Sequence, residues 1–254
     1  MEYIKLSMSD RVLEIGLDRP EKMNAFNWKM LQELSEAYTI LDEDPDAWVG
    51  LLYSTSEHFT AGLDLEDVSP HILKGDALFD TDGIDPTRIK GKSLTKPMVV
   101  VVGGYCLTIG IELILAADIC ISGKTTFGQI EVQRGIFPFG GATIRMVQRA
   151  GWGNAMKYLL TGDKFDEDEA FRIGIIQEIS EDPFLRGKTL ADHISKQAPL
   201  AVQATLENAR LSLNDEHAAK KGLLQTANIL MQSEDAKEGL ASFVERREAK
   251  FKGK

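Results

Sequence analysis

The sequence predicts an α/β fold that ends in a layer of helices. Three observations carry the prediction. Short β-type runs alternate with amphipathic helical segments and lie too far apart for simple hairpins, so they need crossover connections of the kind that build parallel sheets. Pro97 to Val102 (PMVVVV) is apolar without alternation, as expected of a strand covered on both faces. After about residue 183 the apolar period becomes helical throughout.

Tyr3 to Met8 and Val12 to Leu17 flank Ser9-Asp10 and predict an opening hairpin. Asn27 to Asp44 predicts a helix: Asn27 can cap it, and Met30, Leu31, Leu34, Tyr38 and Leu41 recur at helical spacing before Pro45. Trp48 to Tyr53 and Asp118 to Ser122 predict further strands. Glu66 to Thr95 is polar, carries Pro70, Gly75, Gly83, Pro86 and Gly91, and reads as a long functional loop. Helices are expected at Leu185 to Lys196, Leu200 to Leu213, Glu216 to Met231 and Ser233 to Lys250. The expected division is a core over residues 1–195 that carries the site and a helical region over 196–254 that folds back or packs on a neighbour.

The chain has 254 residues, 43% hydrophobic and 27% charged, which suits a soluble globular protein with a sizeable core. A net charge of -10 and a pI near 5.0 leave no basic stripe to neutralise phosphates, which disfavours nucleic acid as a partner. Cys106 and Cys120 lie in apolar surroundings without metal-ligand spacing and read as buried, reduced thiols. MEYIKLSMSD has no basic segment followed by an apolar one, and no apolar run reaches about 18 residues. The expectation is a cytoplasmic protein with no membrane partner.

Gly123-Lys124-Thr125 resembles the end of a phosphate-binding loop, but Asp118 stands where that motif needs glycine. His58, His71, His193 and His217 are scattered in polar contexts and read as solvated surface. No G-x-S-x-G elbow marks a serine hydrolase. Carboxylates and glycine-rich turns remain. In GGYCLTIGIELILAAD, residues 103–118, Glu112 sits among Ile111, Leu113, Ile114 and Leu115, where an ionised carboxylate must find donors or shift its pKa. In HFTAGLDL, residues 58–65, Ala61-Gly62 turns the chain before Leu63 and a helix start, where a backbone N–H can face a ligand. The turn before Glu112 can do the same. Two N–H groups converging on one carbonyl oxygen form an oxyanion hole, each donor contributing about 2.7–4 kcal/mol to transition-state stabilisation. TFGQIEVQRGIFPFGG, residues 126–141, adds a second acid, Glu131. Taken singly, each has a plainer reading: Ala61-Gly62 as a tight turn, Glu112 as a cap or ion-pair acid, Glu131 as a solvated loop acid. Their combination and order outweigh those readings.

These stretches resemble the crotonase family, the enoyl-CoA hydratases and isomerases, over nearly the whole chain. LDRPEKMNAF (17–26), TKPMVVVVGGYCLTIGIELILAADICIS (95–122), FGQIEVQRGIFPFGGATIRM (127–146), WGNAMKYLLTGDKFDEDEAFRIGII (152–176) and SEDAKEGLASFVERREAKF (233–251) follow in the family's order and spacing. The resemblance implies a crotonase-type superhelix of repeated ββα units with a C-terminal helical trimerisation region, and a homotrimer or a dimer of trimers. It implies an acyl-CoA substrate whose thioester oxygen lies between the N–H groups of Leu63 and Ile109. Glu112 and Glu131 match the two glutamates of hydratases, which add water across a 2-enoyl-CoA in syn fashion. Lys22, Met23, Ala25, Ala61, Gly62, Asp64, Leu65, Gly110, Pro138 and Phe139 match substrate and CoA positions. Coenzyme A enters as part of the substrate, with no separate cofactor and no metal. The alternatives are a Δ3,Δ2-enoyl-CoA isomerase, or another thioester-enolate enzyme, using one glutamate, and an acyl-CoA-binding protein without turnover.

Two departures stand out. Thr108-Ile109-Gly110 replaces the three glycines usual in hydratases, and Phe137-Pro138-Phe139 replaces a smaller I-P-G stretch. Both are expected to narrow or reshape the acyl pocket, the second by placing two rings at its end. In the tail, Leu240, Phe243 and Val244 form a helical stripe suited to a partner. Arg246, Arg247, Lys250 and Lys252 read mostly as solvated charge, with a neighbour's CoA phosphates as the alternative partner.

Overall fold

Asp10, in a left-handed conformation at φ 52°, closes the hairpin of β1 (Ile4–Ser9) and β2 (Val12–Leu17), which pairs Leu6 with Ile15. This computed structural model describes residues 1–79 and 82–254. β3 (Val49–Ser54), β4 (Met98–Leu107), β5 (Ile119–Gly128) and β6 (Glu178–Ile179) follow. Among the described residues the sheet has the order β1-β2-β3-β4-β5-β6, parallel after the hairpin. PMVVVV is covered on both faces: Val100 and Val102 enter the main core, while Val99 and Val101 enter a second cluster with Val12, Leu51 and Ile121.

β4 and β5 run past the expected ends at Val102 and Ser122. Their register shifts between Val102 and Gly104, and beyond it they also pair with other segments: Cys106 with Thr60, and Phe127 with Phe165. A third short bridge joins Phe26 to Leu63. Successive turns of the chain thus add a sheet strand, a short second-layer segment and a helix, the ββα pattern expected. Gly123-Lys124-Thr125 lies inside β5 rather than in a phosphate-binding loop.

Helix α1 (Trp28–Glu43) starts where Asn27 accepts a hydrogen bond from the Met30 N–H at 2.9 Å, and buries Met30, Leu31, Leu34 and Leu41. The expected loop over 66–95 instead begins with α2 (Leu65–Lys74). Gly75, read as a loop signal, is its C-cap at φ 83°, its N–H reaching the His71 and Ile72 carbonyls. Beyond it, buried Asp85 accepts from the N–H groups of Thr87, Ile89 and Lys90 and organises an irregular segment. Asp80 and Thr81, within the same stretch, lie outside the described residues.

α3 (Ile109–Ala116) is buried at every position. α4 (Ala142–Ala150) packs against it and against α5 (Trp152–Thr161), and α6 (Glu167–Arg172) packs on β5. α7 (Pro183–Ser195) lies on the opposite face of the sheet, where Gly187 permits the approach: a Cβ there would stand 2.3 Å from Val101 Cγ2. The 195/196 boundary falls at the end of α7, before α8 (Pro199–Ser212), α9 (Glu216–Met231) and α10 (Glu234–Glu245). The last residues return to their own core: Phe251 packs on the Trp48 cluster, and Asp235 accepts from the Lys252 and Gly253 N–H groups at 2.7 and 2.9 Å. Leu240, Phe243 and Val244, in contrast, are 68%, 83% and 72% exposed. Arg247 is engaged locally by Glu238 and Glu245. Cys106 and Cys120 are free and buried, and burial pushes both thiols up. Among the described residues no helix is long and apolar enough to cross a membrane.

Candidate active site

The turn at Ala61-Gly62 is shaped by Thr60, whose hydroxyl donates to the Asn24 carbonyl at 2.6 Å and accepts from the Gly62 N–H at 3.0 Å. Gly62 sits at φ 110°, a region that disfavours any side chain. Its carbonyl accepts from Phe26 N–H at 2.8 Å, and Asp64 N–H donates to the Phe26 carbonyl at 2.8 Å. These bonds fix Leu63 from both sides, yet its own N–H has no partner among the described residues.

The start of α3 is built alike. Thr108 N–H donates to the Gly128 carbonyl at 2.9 Å, and the Thr108 carbonyl accepts from Ile111 and Glu112. Ile109 N–H, in the first turn, is left without a partner among the described residues. Leu63 and Ile109 both line one cavity of about 200 Å³. Thr108 holds φ 49° and ψ -112°, a strained state for a β-branched residue that costs about 1–3 kcal/mol. Its buried hydroxyl has no partner among the described residues and lies against Gly62, where a Cβ would meet it at 2.4 Å.

Glu112, one turn into α3, is 4% exposed and lines the same cavity. Its Oε1 accepts from Gly140 N–H at 2.7 Å and Ala142 N–H at 3.3 Å. Burial pushes its pKa up to about 7, against the pull of those two donors and of the Arg145 charge. Glu131, 6% exposed, opens a 3-10 turn over Glu131–Arg134, and its Oε2 has no partner among the described residues. Burial pushes Glu131 up to about 7 as well, and the Glu112 charge adds to the rise. Two acids in one cavity titrate as a pair. Near neutral pH the two acids titrate together, and the two N–H donors on Glu112 favour its charged form.

Both values are raised only by folding, so the contribution of these acids to stability is complete below about 4.5 and is lost as pH rises through about 7. Glu131→Gln cannot ionise. By calorimetry it should melt above the parent protein near pH 8, by roughly 2–4 °C per kcal/mol of relieved burial cost, and no higher near pH 4. An equal shift at both pH values would refute this.

Of the positions named from sequence, Ala61, Leu63, Leu65, Ile109, Glu112, Glu131 and Phe139 line the cavity. Lys22, Met23 and Ala25 form an adjoining turn, tied to it where Ala61 N–H donates to the Met23 carbonyl at 2.9 Å. Asp64 is held by Arg19 at 2.9 Å. Gly110 faces away, packing so closely that a Cβ would stand 2.6 Å from Thr60 Cγ2. Pro138 is buried off the cavity wall. Of the two rings expected at the acyl end, Phe139 lines the cavity, while Phe137 is 63% exposed with its ring 6.4 Å from that of Phe139. Ile109 is absorbed into the main core at its side chain, which spares the cavity most of its bulk.

Sequence reasoning missed the supports. Arg19 also donates to the Ala25 carbonyl at 2.7 Å, and buried Asn24 donates to Ser54 and to the His58 carbonyl, both at 2.8 Å. Gly140 matters because a Cβ there would stand 2.3 Å from Glu112 Oε2. The doublet Gly140-Gly141 was the only signal available for that role. Among the described residues no group of three or more His, Cys, Asp or Glu side chains is placed to hold a metal ion.

Comparison with known proteins agrees with this arrangement. The family model described as enoyl-CoA hydratase/isomerase matches residues 7–254. Enoyl-CoA hydratase EchA19 of Mycobacterium tuberculosis is 32% identical over 250 residues, covering 95% of this chain and 93% of that protein. The 2,3-dehydroadipyl-CoA hydratase of Escherichia coli is 30% identical, with both chains covered in full. A crystal structure of a probable enoyl-CoA hydratase/isomerase from Mycobacterium abscessus superposes with a TM-score of 0.96 at 47% identity, covering 100% of this chain and 99% of the other. A family match over residues 7–254, joined to a crotonase-type fold that brings Glu112, Glu131, Leu63 and Ile109 to one cavity, makes this chain an enzyme of the enoyl-CoA hydratase/isomerase family, within the crotonase superfamily.

Proposed function

We propose that the protein is an enoyl-CoA hydratase that adds water in syn fashion across a 2-enoyl-CoA. The observation that carries this reading is that two buried acids, poised near neutrality, line one small cavity with two residues whose backbone N–H groups have no partner among the described residues. The thioester oxygen accepts from Leu63 and Ile109 N–H, which draws electrons toward it and leaves the β-carbon electrophilic. Ionised Glu112 takes a proton from water as the water oxygen bonds to the β-carbon. The π pair moves into the enolate, whose charge rests between the two N–H groups. Protonated Glu131 then delivers its proton to the α-carbon, so Glu112 gains what Glu131 gives up and the pair's proton count is unchanged. Coenzyme A belongs to the substrate and the reaction needs no further cofactor. The names of the hydratase relatives support this reading.

A panel of 2-enoyl and 3-enoyl thioesters in oxygen-18 water tests it. Label at the β-carbon without double-bond movement is the expected result. Double-bond movement without label would convert the reading to isomerase, and tight binding without turnover across the panel would reduce it to acyl-CoA binding.

The same reading carries the assembly. Residues 196–254 are the oligomerisation region of a cytoplasmic homotrimer or dimer of trimers. Leu224, Met231, Phe243 and Val244 leave apolar surface on α9 and α10 that water does not favour. Phe243→Asp, which leaves the Phe251 anchor in place, is expected to shift sedimentation to the monomer with unchanged circular dichroism. An unaltered sedimentation profile would count against this interface.

A further inference from the structure

A second cavity of about 190 Å³ lies beside the catalytic one, and the two share only Phe139 among their lining residues. Its walls are largely apolar, from Ile72, Ala77, Leu78, Phe79 and Ile89, with Gly140 beside them and the exposed Asp76 and Lys90 as its solvent-facing charges. Asp85, its buried acid, spends its carboxylate on backbone N–H groups and on the Thr87 hydroxyl, and so offers no charge to an occupant. Gly140 N–H also holds Glu112, so the Gly140–Phe139 segment stands directly beside the acid that faces the β-carbon. Phe139 is the lining residue the two cavities share, so a chain passing from one to the other would have to cross it.

From this juxtaposition we infer that Phe139 is a specificity-determining residue: it closes the acyl end of the catalytic cavity, restricts the enzyme to short 2-enoyl thioesters, and seals off an apolar chamber shaped for a longer tail. The inference rests on the hydratase reading. Each methylene seated in an apolar wall adds about fourfold to binding, so opening the partition acts on long chains and adds nothing for a four-carbon chain that ends before it.

The test measures kcat/KM for four-carbon and ten-carbon trans-2-enoyl-CoA. The parent protein is expected to favour the short substrate. Phe139→Ala should raise the long-to-short ratio by at least about 10-fold, and Phe139→Leu should raise it less, which guards against a variant that fails to fold. Ala77→Trp, added to Phe139→Ala, should fill the second chamber and take the gain away. A parent protein that handles ten carbons as well as four, an unchanged ratio in both Phe139 variants, or a gain that survives Ala77→Trp would each overturn the inference while leaving hydration intact. Failure of the parent to hydrate either substrate, with the same failure in every variant, would overturn the hydratase reading and this inference together.

Discussion

Glu112→Gln and Glu131→Gln are each expected to lower kcat by about 10²- to 10⁴-fold, the range of a positioned general acid or base. Each side chain keeps its shape in the variant. The amide that replaces the Glu112 carboxylate can still accept from Gly140 and Ala142 through its carbonyl oxygen, so the fold, the oligomer and the affinity for a saturated acyl-CoA should hold. The loss therefore belongs in kcat. The pH profile separates the two roles. On the proposed mechanism the working pair has Glu112 ionised and Glu131 protonated, so kcat/KM in the parent protein should be bell-shaped around about 7. Protonation of Glu112 closes the acidic limb, and ionisation of Glu131 closes the alkaline one. Residual activity of Glu112→Gln should lose the acidic limb, and that of Glu131→Gln the alkaline limb. Near-normal rates in both variants would sink the two-acid mechanism; limbs lost in the opposite order would exchange the roles.

Glu112 was legible because burial and charge conflict: an acid inside GIELILAA demands donors wherever it folds. The donors themselves were not legible. Gly140 and Ala142 lie 28 and 30 residues away, and backbone N–H groups leave no mark in side-chain identity. PMVVVV announced a strand covered on both faces, but its extension through Gly103-Gly104 was hidden, because the second-layer pairing to Thr60 is a tertiary contact. Gly75 illustrates an ambiguity of kind: glycine ends helices and populates loops for the same conformational reason, so its presence does not distinguish the end of α2 from a loop. Phe137 and Phe139 look equivalent in sequence. The turn sends one to solvent and the other into the wall between two cavities, an alternation that only the folded backbone resolves.

Gly62→Ala should lower kcat/KM by about 10²- to 10³-fold, as if one oxyanion donor were lost, at about 2.7–4 kcal/mol. Two effects act at this position. A φ of 110° is unfavourable for alanine, and the new Cβ would stand 2.4 Å from the Thr108 hydroxyl. Thr108 and Gly62 each precede a donor-bearing residue, so pushing them apart displaces Ile109 N–H relative to Leu63 N–H. A misplacement near 1 Å already costs on the order of 10²-fold. Gly75→Ala supplies the control: its φ is 83°, with nothing within 4 Å of the added carbon, so it carries backbone strain at a residue that does not line the catalytic cavity. It should cost stability and leave kcat/KM as it was. Thr108→Gly combined with Gly62→Ala removes the clash but not the strain, and should recover part of the lost activity, with a coupling of about 0.5–3 kcal/mol between the two sites. If Gly62→Ala is no worse than Gly75→Ala, the N–H of Leu63 does not serve the thioester. If the double variant is merely additive, contact between the two turns does not set the spacing of the donors, and backbone strain at Gly62 alone accounts for the loss.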